Sequence, residues 1–496
     1  MRNDNHPQGF QARSKHREVV KPARALLLGA IASVLAACAV GPDFHRPEVA
    51  TPAEFIKVDA EQSPQFAATA IETDFWKSFN DTQLNELIEA ALAANHDIRI
   101  ARSRLAEARA LRGESRLDLA PTVTASGGHT ESRSSERQVP FPGVARDQNY
   151  YDASFDASWE LDLFGRVRRG IEAQSAEVNT SIAGVENAQV SVTAEVARSY
   201  FELRGAQHQL DVAQRNTANQ RNSLQLTNAR LEAGRGTELD TSRAQAQLSA
   251  TLSTIPDFEA AVTRSILRLG VLTGNSPDAL LATLSEARPL PTLPATQPIG
   301  TPEALLRRRP DIRMAENQLA AATARIGVAV GDLFPRISLV GSWGFDAASS
   351  GDLGNSSSET FAFGPSIRWA AFDLGRVQQR IRQREAAADG ALARYEQAVL
   401  RALEETDASM TDYVKSLAKQ EHLRQSASAS ANAAMLARAR FDNGAADFLT
   451  VLDAERTMLE AEDRLARTET QTATSLLAVY KALGGGFRSL DAQASR

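Results

Sequence analysis

Trp159-Glu160-Leu161-Asp162-Leu163-Phe164-Gly165-Arg166-Val167 returns, altered but aligned, as Trp369-Ala370-Ala371-Phe372-Asp373-Leu374-Gly375-Arg376-Val377. The spacing of 210 continues through Arg230/Arg440, Gly234/Gly444, Ala244/Ala454 and Gly274/Gly484. Upstream, Asp97-Ile98-Arg99 and Asp311-Ile312-Arg313 stand 214 apart, as do Pro121 and Pro335. One supersecondary unit is therefore built twice. Each copy of the opening stretch marks a switch between two patterns that rarely share a domain.

Before the switch, residues alternate. Tyr151, Ala153, Phe155, Ala157, Trp159 and Leu161 share one face, with Asp152, Ser154, Asp156, Ser158 and Glu160 on the other. Period 2 over this length predicts a strand with one apolar side. Ile337, Leu339, Gly341, Trp343 and Phe345 make a second apolar row, and Phe361, Phe363, Pro365, Ile367, Trp369 and Ala371 a third. A weaker strand is expected from Pro121 to about Glu131. These lengths suit tilted transmembrane strands. Four strands cannot close a barrel, and lipid does not tolerate open edges, so strands that cross a membrane here require several copies of the chain.

After the switch, helix formers dominate. No proline falls between Pro142 and Pro256 or after Pro365. Residues 166–233 and 376–443 are rich in Ala, Arg, Glu, Gln and Leu and predict two helices of roughly 100 Å. Their alanine-rich, half-polar faces suit the wall of a wet cylinder better than a solid bundle. Shorter helices are expected at 84–119, 237–273, 303–333 and 447–483, with two short helices stacked end to end matching one long one. Gly234 and Gly444 mark the turns where the long helices reverse. The organisation expected is a signal at 1–37, an extended arm at 38–81, a first repeat at 82–274, a proline-rich linker at 275–302, a second repeat at 303–484 and a tail at 485–496.

The formal net charge is −6, and the first 37 residues are net basic, so the remainder is more acidic still. That argues against a nucleic-acid partner. The seven His show no metal-ligand spacing, and neither a phosphate loop nor a nucleophile elbow is present, so no catalytic or metal site is assigned. The single cysteine, Cys38, excludes an internal disulfide. It follows a basic region and the apolar run Ala25 to Ala37, in Leu35-Ala36-Ala37-Cys38. This is an export signal too short to span a bilayer, ending in a lipobox. Cys38 is the expected lipidation site, carrying a diacylglycerol and a fatty acid and otherwise no cofactor.

Four marks carry a resemblance. They are Cys38-Ala39-Val40-Gly41-Pro42-Asp43-Phe44, Arg308-Arg309-Pro310-Asp311-Ile312, the twin Phe164-Gly165-Arg166 and Leu374-Gly375-Arg376, and Phe448-Leu449-Thr450-Val451-Leu452-Asp453-Ala454. In this order, within a duplicated chain, they resemble the TolC-like outer membrane factor family, and within it the OprM/NodT-type lipoproteins of RND efflux systems. The resemblance implies a mainly α, mixed fold and a homotrimer, its 12-stranded transmembrane β-barrel continuous with a 12-helix periplasmic α-barrel. It also implies an outer membrane location and partners in a periplasmic adaptor protein, an inner-membrane RND transporter and outer membrane lipid. The expected function is a non-enzymatic exit duct for drugs or other small toxic compounds. Alternatives are metal efflux, type I protein secretion, or a structural helical lipoprotein without a pore.

Family channels narrow at the helical tips, where aspartates face the lumen. The matching gate positions are Asp453 and Asp240, with Thr450 where some members carry a further aspartate. Arg243, the repeat partner of Asp453, is expected to pair with it across the tip. Adaptor contacts are expected at Arg230, Gly234, Arg440 and Gly444. The positions that latch some family tips through a Tyr and an Arg are here Phe441 and Ala446, so closure must be held otherwise.

Overall fold

The computed structural model describes residues 39–50, 52, 55, 66–67, 69, 73–137 and 145–488. Cys38 and the signal lie outside the described residues, as do parts of the arm, the tail and the first hairpin loop. The described chain forms two compact units. One holds 110–175 and 320–389 with the first described residues to His45; the other holds 46–109, 176–319 and 390 onward.

The first unit is built on one antiparallel sheet of β1 (Thr122–Arg133), β2 (Asp147–Leu161), β3 (Arg336–Ala347) and β4 (Glu359–Arg368), in that order. The register lines the apolar rows up across strands: Phe155 faces Trp343, which faces Phe361, and Ala157 faces Gly341, which faces Phe363. Phe361 and Phe363 are 81% and 83% exposed, so the apolar face is bare. Trp369 falls just beyond β4, where the third row was expected to continue. The twin tryptophans are tied alike. Trp159 donates its indole N–H to the Leu119 carbonyl at 2.9 Å and Trp369 to that of Leu333 at 3.0 Å. The segment after Cys38 is pinned here too. Buried Arg169 donates to the Val40 and Gly41 carbonyls and to the Asp43 carboxylate.

Apart from one helical turn at Leu281–Leu284, inside the proline-rich linker, the α-helices among the described residues are α1 (Thr82–Ala94), α2 (His96–Leu117), α3 (Arg166–Glu232), α4 (Glu238–Leu272), α5 (Pro302–Arg308), α6 (Pro310–Gly331), α7 (Leu374–Asp442) and α8 (Phe448–Ala482). The long helices α3 and α7 match their sequence expectation within two residues. The segments expected as single helices at 84–119 and 303–333 are each broken. At Asn95 the backbone turns extended, and its side-chain oxygen caps the amides of Asp97 and Ile98. At Arg309 the following Pro310 disfavours helical geometry, and the residue sits at ψ 123°.

Both breaks receive the end of a returning helix. The Asn95 amide donates to the Leu272 carbonyl at the end of α4. Arg309 donates to the Ala482 carbonyl at the end of α8, at 2.8 Å. The end of a returning helix thus meets each break, where a polar side chain satisfies its terminal carbonyl. An aromatic core including Phe75, Trp76, Phe79, Tyr200, Phe201 and Tyr480 lies in the same unit, with Phe75 stacked on Tyr480 at 4.5 Å. Among the described residues no helix is long and apolar enough to cross a membrane.

Helices α3 and α8 approach closely at Gly205, where a β-carbon would stand 2.1 Å from the Thr470 hydroxyl and 2.9 Å from its Cβ. Gly205→Ala is therefore expected to overpack this crossing by about 1–3 kcal/mol. A lowered thermal midpoint of the detergent-purified protein checks this; an unchanged midpoint refutes it.

Candidate functional site: the helical tips

Both long helices end alike. Gly234 sits at φ 69°, its amide on the Leu231 carbonyl, and the Arg235 amide reaches the Arg230 carbonyl at 2.7 Å. Gly444 sits at φ 70°, its amide on Phe441, and the Ala445 amide reaches Arg440 at 2.8 Å. Both are Schellman closures, which require the left-handed conformation that glycine alone adopts freely. No atom beyond the chain neighbours lies within 4 Å of where a β-carbon would sit at either, so turn geometry accounts for these glycines within the chain.

The helices that leave the tips are capped by the same two residue types in exchanged order. Thr237 caps α4, its hydroxyl accepting from the Asp240 amide. The Asp240 carboxylate accepts from the Thr237 amide and, at 2.7 Å, from its hydroxyl. In the second tip Asp447 is the cap, accepting from the Thr450 amide at 2.9 Å and the Thr450 hydroxyl at 2.6 Å. These bonds from Thr450 hold the Asp447 carboxyl below the usual carboxylate range. Asp240 and Thr450 are repeat partners, and within the chain each completes a helix start. That bond occupies the Asp240 carboxylate, the expected gate charge.

Asp453 differs. It is exposed, and it pairs with Arg456 on its own helix at 2.8 Å. Within the single chain it does not pair with Arg243. Within the chain Asp453 has the nearer partner three residues on, one turn along the same helix face. Arg243 stands exposed on α4. Arg440, Thr450 and Asp453 do come together, lining with Asp447 and Leu436 a groove of about 690 Å³ between α7 and α8.

Arg230, expected as an adaptor contact, is engaged inside the chain. Its guanidinium lies over the Phe441 ring, 3.8 Å from the centroid, and donates to the Phe441 carbonyl. Phe441 in turn packs on Phe448 at 5.4 Å, within a small core with Ala244, Ala437 and Val451. The contact joins the end of α3 to the end of α7, where sequence matching found the family's usual donors missing.

One group escaped the sequence reading altogether. Glu455, two residues past Asp453, turns inward to Arg438 of α7 at 3.1 Å and to the hydroxyl of Ser223 of α3 at 3.2 Å. Burial pushes its carboxyl above the ordinary value, while Arg438 and Ser223 draw it back. Nothing in the local pattern of Asp453-Ala454-Glu455-Arg456 separates it from solvated neighbours; only its position on the helix face opposite Asp453 carries the signal.

The family model for outer membrane efflux proteins matches residues 87–275 and 301–485. The chain is 30% identical over 482 residues to a probable efflux pump outer membrane protein, TtgC, of Pseudomonas putida, covering 95% of this chain and 97% of that one. It is 30% identical over 480 residues to the outer membrane protein OprJ of Pseudomonas aeruginosa, covering 94% and 97%. Among solved structures the outer-membrane channel OprN superposes with a TM-score of 0.83 at 43% identity, covering 90% of this chain and 99% of that one.

The stacked guanidinium supplies a quantitative test of the tip. A double-mutant cycle of Arg230→Met and Phe441→Leu is expected to give a coupling of about 1 kcal/mol, measured as protection of the tip amides from hydrogen exchange. A coupling of zero would mean the two side chains are neighbours without mutual hold.

Proposed function

The chain belongs to the outer membrane efflux protein family, and on that premise we propose that it is the outer membrane channel of a tripartite efflux system. In this reading it is a passive exit duct for small toxic compounds, delivered by an inner-membrane RND pump through a periplasmic adaptor. No covalent bond of the cargo changes. The observation that carries the reading is the sheet: four strands whose exposed aromatic rows align in register, with nothing in the chain pairing the outer sides of β1 and β4 among the described residues. Such edges in hydrocarbon must be paired by further copies, since each unpaired backbone group costs several kcal/mol. Three copies supply twelve strands, enough to enclose a lumen. Lipid on Cys38 adds an anchor beside the barrel.

At the tips, the exposed Asp453 of three copies forms one ring of negative charge, which favours cations and repels anions. The exposed turns at Gly234, Arg440 and Gly444 are the surfaces offered to the adaptor.

The first test is the mass of the detergent-extracted protein, corrected for bound detergent. Three chains are expected; a stable monomer would leave the strand edges bare and favour a structural rod. In bilayers, Asp453→Asn is expected to lower the cation preference of the pore without lowering its trimer yield. Unchanged ion selectivity would remove Asp453 from the lumen.

A further inference from the structure

The sheet holds one join between repeats, and the offsets that relate the repeats carry straight through it. Thr122 faces Ser158 in the first hairpin, and the positions 214 and 210 further on, Arg336 and Arg368, face each other in the second. The middle pair, β2 with β3, therefore links the second strand of one repeat to the first strand of the other. In it Trp159 stands opposite Leu339 and Ala157 opposite Gly341. The remaining strands of these two kinds, β4 and β1, lie at opposite edges of the sheet. Carried to those edges by the same offsets, the register of the middle join sets Trp369 opposite Ala125, and Ile367 opposite Gly127, of a neighbouring copy. Each large apolar side chain then meets a small one, and a slip by one residue would turn the whole apolar row to the other face.

Two rings seal the base of the middle join. Phe164, two residues before α3, stacks on Phe334, two residues before β3, with centroids 4.6 Å apart and planes 16° from parallel. The second repeat puts a ring in the same place, since Phe372 stands two residues before α7. Within the chain nothing covers it: at 107% exposure it is the barest large apolar residue among those described. The position matching Phe334 is Ala120, two residues before β1, and the flanking Leu117 and Leu119 are 71% and 45% exposed. One edge of the sheet thus ends in an uncovered ring, and the other in an alanine between bare leucines. Water is a poor cover for either, so each favours apolar company. The twin position decides between lipid and protein as that company. Phe164 is spent on the join between repeats, and strand edges that must pair bring Ala120 of the next copy to the place that Phe334 holds inside the chain.

We propose that Phe372 seals the join between copies: it seats over Ala120 of a second copy of this chain, between Leu117 and Leu119, as Phe164 seats on Phe334 within the chain. The site is incomplete without that second copy. The proposal rests on the channel reading above, which requires β4 to meet β1 of a neighbour, and adds to it the register of that meeting and the residue that holds it. The two kinds of join are unequal. The one within the chain is ring on ring and present in a single copy; the one between copies has a ring on one side only and forms when copies meet.

The test is a cysteine pair, Phe372→Cys with Ala120→Cys, in the whole membrane-inserted protein. The one native cysteine is Cys38, the expected lipidation site, so the introduced thiols are the free ones. Within a chain the two positions lie at opposite edges of four strands, about 14 Å apart by strand spacing alone and out of reach of a short thiol-specific linker. The double variant is expected to give a covalent trimer on a denaturing gel, and each single variant monomers alone. Phe372→Ser, which removes no cover from the chain itself, is expected to lose trimer to monomer on dilution in mild detergent. A trimeric mass without any link between chains in the double variant overturns the proposal and leaves the channel reading intact. So does a Phe372→Ser protein as trimeric as wild type on dilution, which gives the ring to membrane lipid instead. A wild-type protein that is monomeric in mild detergent overturns the channel reading itself.

Discussion

A β-strand in hydrocarbon must have every backbone amide and carbonyl paired, and the aromatic sheet of this chain has four strands with two sides unpaired among the described residues. That constraint governs the rest. It makes a single copy incomplete, so the sheet has meaning only as a fraction of a larger ring. Because the same chain also carries two long helices, whatever number of copies closes the sheet fixes the number of helices assembled with it. Duplication follows the same logic. Two hairpins per chain allow three copies to reach twelve strands, and each hairpin brings its own long helix and returning helix.

The two halves keep what backbone geometry demands and vary what side chains can exchange. Gly234 and Gly444 occupy the same left-handed position with the same pair of closing hydrogen bonds. The next helix start uses Thr then Asp in one half and Asp then Thr in the other, with equivalent bonding. The exchange preserves a cap but relocates a negative charge. Acidic residues grouped by family position alone therefore fall into two kinds: carboxylates bound into a helix start, as at Asp240 and Asp447, and one further along its helix, Asp453, exposed and paired with Arg456.

Much of this was legible in the sequence because it depends on period and spacing. Alternation gave the strands and their apolar faces, and the repeat offset aligned the tips. Proline-free helix-forming runs gave α3 and α7 nearly to the residue. The breaks at Asn95 and Arg309 were not foreseen, although Pro310 announced the second. Asn95 suits a helix start, but the Leu272 carbonyl that receives its buried amide is distant in sequence and leaves no local mark. The contacts that Arg230, Phe441 and Glu455 make within the chain were not foreseen, for one shared reason. Their partners lie on other helices, more than two hundred residues away for Arg230 with Phe441 and for Glu455 with Ser223, and no local pattern encodes which face meets which.

A gate must be closed reliably and yet open without unfolding the helices that form it. Apolar packing is a poor instrument for that, since separating a packed seam exposes its whole area at once. The tip divides the task. Phe441, Phe448 and Val451 form only a small apolar core, and Arg230 lies across it as a cation whose charge remains hydratable when the contact parts. Behind them the Ser223–Arg438–Glu455 bridge specifies alignment through three directional bonds while adding little net stability. In the proposed channel, an interface aligned by directional polar bonds beside a small apolar core suits a tip that must part and close again, with Ser223, Arg438 and Glu455 set among Met435, Met458 and Leu459.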